Sequence, residues 1–308
     1  MPSNGVIRDE RVYHVYQRTK DRGVLFYSVS DYLVYYTIFS QYAREYGVRV
    51  LALCQMPDHI HSVIAVRSFP TLSRFIQTCS TAFSKAFNLA TAMSGSLFER
   101  PFGRAEKKGD KRIRTALAYV YNNPVERKLT ARAEQYPWNY LAYGIKVFPF
   151  AEPLILRKAS YALRMAVRET DAVFRQKGHL SHILLGRLFS ALSPTEKRQL
   201  ANAIIQQWNC IDYETLVNYY GSNEAMLTAF ASNTGSEYDI PEHMDPWSDR
   251  LYQQMSAILT GKGIVQNPRD VIRMDNDRKF ELLRLLSSAT MATPLQIGKF
   301  LHLPVKYV

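Results

Sequence analysis

The chain has 308 residues, 47% of them hydrophobic and 21% charged, with 39 Lys and Arg against 27 Asp and Glu. That length favours two domains, and no apolar run approaches the roughly 18 residues that a membrane span needs. The polar start, Met1 to Glu10, lacks the apolar core of a signal peptide. Cys54, Cys79 and Cys210 lie far apart without a CxxC pair, which suits a cytoplasmic setting and argues against a thiolate metal site.

The charge is unevenly spread. Residues 1–150 hold 21 Lys and Arg against 11 Asp and Glu, a net of +10, whereas residues 151–308 hold 18 against 16, a net of +2. A basic N-terminal half points to a polyanion, and nucleic acid fits best through phosphate neutralisation. No basic amphipathic helix stands out to favour a membrane surface.

Arg11 to Thr19 alternates, with Tyr13, Val15 and Gln17 against Val12, His14 and Tyr16, and reads as a first strand. Ser30 or Asp31 caps a helix to about Tyr46, stopped by Gly47. Val48 to Cys54 and Ser62 to Val66 are apolar, β-branched runs on either side of Pro57-Asp58, which is turn chemistry. The spacing predicts a β-hairpin whose second strand begins at His59. On that strand His59 and His61 share a face about 7 Å apart, opposite a core-facing Ile60. Such a pair is half of a metal site, although His-x-His on a strand is more often just a polar face.

Pro70 and Thr71 open a helix to about Ala90, whose Phe75, Phe83 and Phe87 read as core. Met93 to Lys108 reads as a loop. Seven basic residues, Arg100, Arg104, Lys107, Lys108, Lys111, Arg112 and Arg114, follow the hairpin and are candidates for phosphate contact. A helix from about Asp110 should end before Pro124. Within it Tyr119 and Asn123 lie one turn apart, so a phenol and an amide oxygen could share a site, while Tyr121 lies about 200° around the helix. Tyr136-Pro137-Trp138-Asn139-Tyr140 is an aromatic turn that closes the domain. The order of elements predicts an α+β fold, a ferredoxin-like antiparallel sheet with helices on one face.

Beyond 150 the pattern is all-helical. Ser193-Pro194-Thr195-Glu196 is a capping box leading into a helix to about Trp208. The divisions expected are a domain at 1–150, a helical extension at 151–235, a polar linker from Ser232 to Pro246, and a helical region at 247–308. In the last, helices are expected at about Ser248–Thr260 and Asp277–Ala289. Thr293 to Leu301 followed by His302-Leu303-Pro304 suggests a partial helix-turn-helix.

Met56-Pro57-Asp58-His59-Ile60-His61 resembles the HUH signature of single-tyrosine transposases, in the REP-associated tyrosine transposase group. Ser96-Leu97-Phe98-Glu99-Arg100, Tyr119-Val120-Tyr121-Asn122-Asn123-Pro124-Val125 and Tyr136 to Tyr140 resemble further segments of that group, in its order. The resemblance covers about residues 11–143. It implies a nuclease that nicks and rejoins single-stranded DNA beside hairpins through a 5′-phosphotyrosine. His59 and His61 would hold Mg²⁺ or Mn²⁺, and Tyr119 would be the nucleophile. Asn123 stands where relatives often have a Gln as third ligand. Two other readings stay open: a noncatalytic single-strand binder that uses the same fold and basic surface without needing Tyr119, and a domesticated regulator that binds DNA through its C-terminal helices.

Overall fold

A computed structural model describes residues 10–232 and 248–303. Its N-terminal part runs β1 (Arg11–Arg18), α1 (Val29–Glu45), β2 (Arg49–Gln55), β3 (His59–Val66), α2 (Phe69–Thr91), β4 (Gly103–Lys107) and α3 (Asp110–Glu126). The strands form one sheet in the order β2-β3-β1-β4, antiparallel at each junction. This is the ferredoxin-like α+β arrangement expected, with the hairpin turning at Pro57-Asp58 and β3 starting at His59.

Three local features differ from the sequence expectation. β4 lies within the segment read as a loop; Gly103-Arg104-Ala105-Glu106-Lys107 has little strand character of its own, and pairing with β1 from Val12↔Lys107 to Tyr16↔Gly103 imposes it. α1 begins earlier, capped by Ser28, with the Asp31 carboxylate accepting the Ser28 N–H at 2.8 Å. α3 continues through Pro124 to Glu126, and the Arg127 and Leu129 amides bond to Asn123 and Pro124 carbonyls at 3.0 and 2.8 Å. The helix therefore ends on bonds that do not need a proline N–H, and Asn123 is helical.

Helices cover both faces of the sheet rather than one. α1 and α2 pack on the face of Tyr13, Val15, Ile60 and Ile64, where Phe75, Phe83 and Phe87 are core residues. α3 lies on the other face against Val12, Val63 and Ala65. Period-two alternation put Ile60 and His61 on opposite faces, but the sequence did not show that a third helix buries the second face as well.

The C-terminal half comprises α4 (Tyr161–Arg175), α5 (His182–Ser190), α6 (Pro194–Gln207), α7 (Tyr213–Asn218), α8 (Asn223–Ser232), α9 (Arg250–Gly261), α10 (Asn276–Ala289) and α11 (Pro294–Leu301). α6 has the expected capping box: Ser193 Oγ accepts the Glu196 N–H at 3.3 Å, and Glu196 accepts the Ser193 N–H at 2.9 Å. One apolar cluster runs from α1 and α2 through Leu163, Leu185, Leu200, Trp208, Leu259, Leu286 and Phe300, so the core does not break at residue 150. Tyr36 Oη donates to the Ile205 carbonyl at 3.3 Å, and the Asp212 N–H donates to Val50 O at 2.8 Å, covering the outer edge of β2. The residues from Gln296 to Leu301 in α11 are buried, and the part of the expected helix-turn-helix from Pro304 onward lies outside the described residues, as does the linker after Ser232.

Candidate active site

The face of the sheet under α3 carries His14 and Tyr16 from β1 beside His59 and His61 from β3. The register pairs Tyr16 with His61 and Arg18 with His59, so the parity of both strands brings their rings together. The His59 and His61 ring centroids are 5.0 Å apart and nearly perpendicular. Both side chains are buried, so this is not the solvated polar face that a His-x-His strand usually presents.

Buried polar groups must find partners, and here each imidazole finds two. His59 Nδ1 lies 2.6 Å from Asp58 Oδ1 and its Nε2 lies 3.3 Å from Asn123 Oδ1. His61 Nδ1 lies 3.0 Å from His14 Nε2 and its Nε2 lies 3.3 Å from Asn123 Nδ2. Both Nδ1 atoms are thus engaged from behind, and both Nε2 atoms converge on one amide. The helical continuation through Asn123 places that amide one turn from Tyr119. The Tyr119 ring stands 5.5 Å from the His61 ring and 5.6 Å from the His14 ring, centroid to centroid. Tyr121 points elsewhere: its hydroxyl donates to Leu51 O at 3.0 Å, and its ring stacks on Phe230.

Burial, reinforced by the charges of His59, His14 and Arg18, holds His61 well below the ordinary imidazole range. It is neutral at pH 7, the form in which a ring nitrogen ligates a metal. Burial alone would raise the Asp58 carboxyl, but His59, followed by Arg127 and Lys299, holds it below the usual range. Asp249, which pairs with Arg127 at 2.6 Å, is pushed up to about 6 by burial and by the Asp58 charge, against the pull of Arg127.

The donors fit a divalent cation. Each histidine offers Nε2 while its Nδ1 is fixed by a carboxylate or a second imidazole, the outer-partner pattern that orients metal-bound histidines. Asn123 offers an amide oxygen, and rotating the amide by half a turn swaps which histidine faces it. Among the described residues no group of three or more His, Cys, Asp or Glu is arranged to hold a metal, so a third protein donor would be this amide.

The seven basic residues do not form one surface. Arg104 shares the Val15 side of the sheet, its guanidinium 4.3 Å from the Phe69 ring centroid. Arg100 lines a crevice with Gln17, Ser80, Phe98 and Phe102 on the α2 side. Lys107 is buried, whereas Lys108, Lys111, Arg112 and Arg114 are exposed around the start of α3. Arg114 also donates to the Tyr219 carbonyl at 3.4 Å.

His14, Tyr16, Asp58 and the Arg127–Asp249 pair were not singled out from the sequence as site residues. Strand parity put His14 and Tyr16 on one face, but only the β1–β3 register sets that face against His61. Asp249 carried no signal, lying 122 residues from its partner.

The sequence model of the transposase IS200-like family matches residues 9–123, a span that runs from the start of the sheet to the Asn of the site. The matched span carries His59, His61, Tyr119 and Asn123. A solved structure described as a REP-associated tyrosine transposase bound to a REP hairpin is similar over 44% of this chain and 79% of its own, at 14% identity and a TM-score of 0.38. No curated protein matches the chain. No helix among the described residues is long and apolar enough to cross a membrane.

Proposed function

We propose that the chain is a metal-dependent single-stranded DNA endonuclease and transposase in which Tyr119 attacks a phosphodiester beside a hairpin. The observation that carries this reading is the convergence of two histidine Nε2 atoms and the Asn123 amide one helical turn from a tyrosine, inside the transposase-like domain. Mg²⁺ or Mn²⁺ held by His59, His61 and Asn123 would polarise a phosphoryl oxygen as a Lewis acid. Two imidazoles among the donors suit Mn²⁺ better than the harder Mg²⁺. Asp58 and His14 keep the ligating rings aimed. Tyr119 Oη forms the new bond to phosphorus as the bond to the 3′ oxygen breaks. The phenol loses its proton and the departing oxygen gains one. The covalent link keeps the phosphoester energy, so the reverse attack by a 3′-OH rejoins strands. Single-stranded DNA with hairpin elements is the substrate, and the exposed basic residues at the start of α3 supply phosphate contacts.

Incubation of the protein with a single-stranded hairpin library and Mn²⁺ should give a covalent adduct, mapped by mass spectrometry to Tyr119. Tyr119→Phe should bind hairpin DNA without forming the adduct. Tyr121→Phe should still form it, at a stability cost of about 1–3 kcal/mol for the Leu51 carbonyl left unpaired. A covalent nucleotide on any other residue overturns the assignment, and binding without any adduct favours the noncatalytic single-strand binder.

A further inference from the structure

The hairpin turn that carries Asp58 is held from behind by residues distant in the chain. Leu25 and Phe26 donate backbone N–H groups to the Pro57 carbonyl at 2.7 and 3.1 Å, and the neighbouring Val24 donates to the Lys299 carbonyl of α11 at 3.3 Å. A second tie runs through side chains. Arg127 follows Asn123 by one turn, its N–H bonded to the Asn123 carbonyl at 3.0 Å. Its Nη2 donates to Asp249 Oδ1 at 2.6 Å, and the Asp249 N–H donates back to the Arg127 carbonyl at 3.2 Å. Asp58, Arg127 and Asp249 are all buried, at 4%, 4% and 0% exposure, and the Arg127 charge acts on both carboxylates.

A buried ion pair of this kind is poor value as a stability device, because apolar side chains of the same volume commonly do as well or better. Its position gives it another use. Asp58 bonds the ring of His59, and Arg127, paired with Asp249 of the C-terminal half, acts on Asp58 through its charge.

We propose that Asp249 is a positioning residue for His59. It fixes Arg127, whose guanidinium steadies the Asp58 carboxylate against His59 Nδ1 and leaves Nε2 aimed at the bound ion. The C-terminal helices thereby complete the metal-holding shell of the transposase-like domain. This inference rests on the metal reading above. Removing the outer partner of a metal-bound imidazole commonly lowers metal affinity about 10–100-fold, so Asp58→Asn should fall in that range, and Asp249, one step further out, should matter roughly 3–10-fold.

The test is Mn²⁺ titration of the full chain without DNA, followed by the EPR signal of the free ion. Asp249→Asn should weaken Mn²⁺ binding roughly 3–10-fold. The double variant Arg127→Gln/Asp249→Asn removes both charges together and strands no buried guanidinium, so it serves if the single variant does not fold. It should weaken Mn²⁺ binding to a similar degree. Wild-type Mn²⁺ affinity in either folded variant, even with a lowered melting temperature, overturns the proposal and leaves the pair a structural tie. His59→Ala separates the two levels. If it binds Mn²⁺ as tightly as wild type, the metal reading itself fails; if it loses Mn²⁺ while the Asp249 variants do not, only this inference falls.

Discussion

On one side of β3, Ile60, Ile64 and Val66 join the aromatic core beneath α1 and α2. On the other, His59 and His61 meet Asn123 and Tyr119 of α3. Both sides are equally closed to water, so burial alone does not separate scaffold from site. What separates them is obligation. An apolar side chain needs only volume, whereas a buried imidazole needs a partner at each ring nitrogen. Those partners fix the ring. The same shielding that stabilises one face therefore preorganises the other.

The largest expected effect breaks this comparison within a single strand. His59→Ala or His61→Ala should abolish adduct formation on hairpin DNA while circular dichroism shows a folded protein. Ile60→Ala, between them, should cost about 2–5 kcal/mol of stability while the folded fraction keeps its activity. A His59→Ala protein that still forms adducts in saturating Mn²⁺ would mean that the two faces do not differ in the way described.

Carboxylates extend the contrast. Asp58 serves the histidine face, whereas Asp31, at the start of α1, pairs with Arg269 and with His182 Nε2 at 3.0 Å. Burial would raise Asp31, but its bond to His182, the Arg269 charge and Ser28 bring it below its ordinary 3.8. A lowered carboxylate contributes stability in full above the unfolded value and loses it as pH falls through the folded one. Asp31→Asn should therefore cost about 3–5 kcal/mol in urea unfolding at pH 7, since it strands the buried Arg269, and the gap to wild type should close below about pH 3.8. Equal stability at pH 7 would show that the pairing does not staple the halves.

The smallest effect concerns the exposed charges. Replacing Lys108, Lys111 and Arg112 together by Gln should lower the magnitude of the salt slope of single-strand binding by about 0.7 per lost contact. Arg104, against Phe69 on the opposite face, should leave the slope unchanged when replaced by Gln. A slope unaffected by the triple change would make the start of α3 an ordinary solvated surface.

The readable parts of the sequence were those governed by local rules. Turn chemistry at Pro57-Asp58 and alternation along β3 located the histidines, and the one-turn spacing of Tyr119 and Asn123 set phenol and amide on one helix face. Non-local pairing hid the rest. β4 is a strand because β1 offers it an edge, not because Gly103 to Lys107 favours one. Pro124 looked like a helix stop, but the last turn closes through the Asn123 and Pro124 carbonyls, which need no proline N–H. His14 became a neighbour of His61 only through strand register, and Asp249 reached Arg127 only through the packing of the helical half.

The shared core also sets an order in time. A ribosome delivers α1 and β2 long before the residues that finish them. The Tyr36 hydroxyl waits 169 residues for the Ile205 carbonyl, and Val50 waits for the Asp212 amide before its edge is covered. Contacts of such separation repay their loop-closure cost late, so the sheet spends much of synthesis as an unfinished surface. The nascent N-terminal half, with its histidines and tyrosine already translated, is thus left without the helices that pack against it until they emerge.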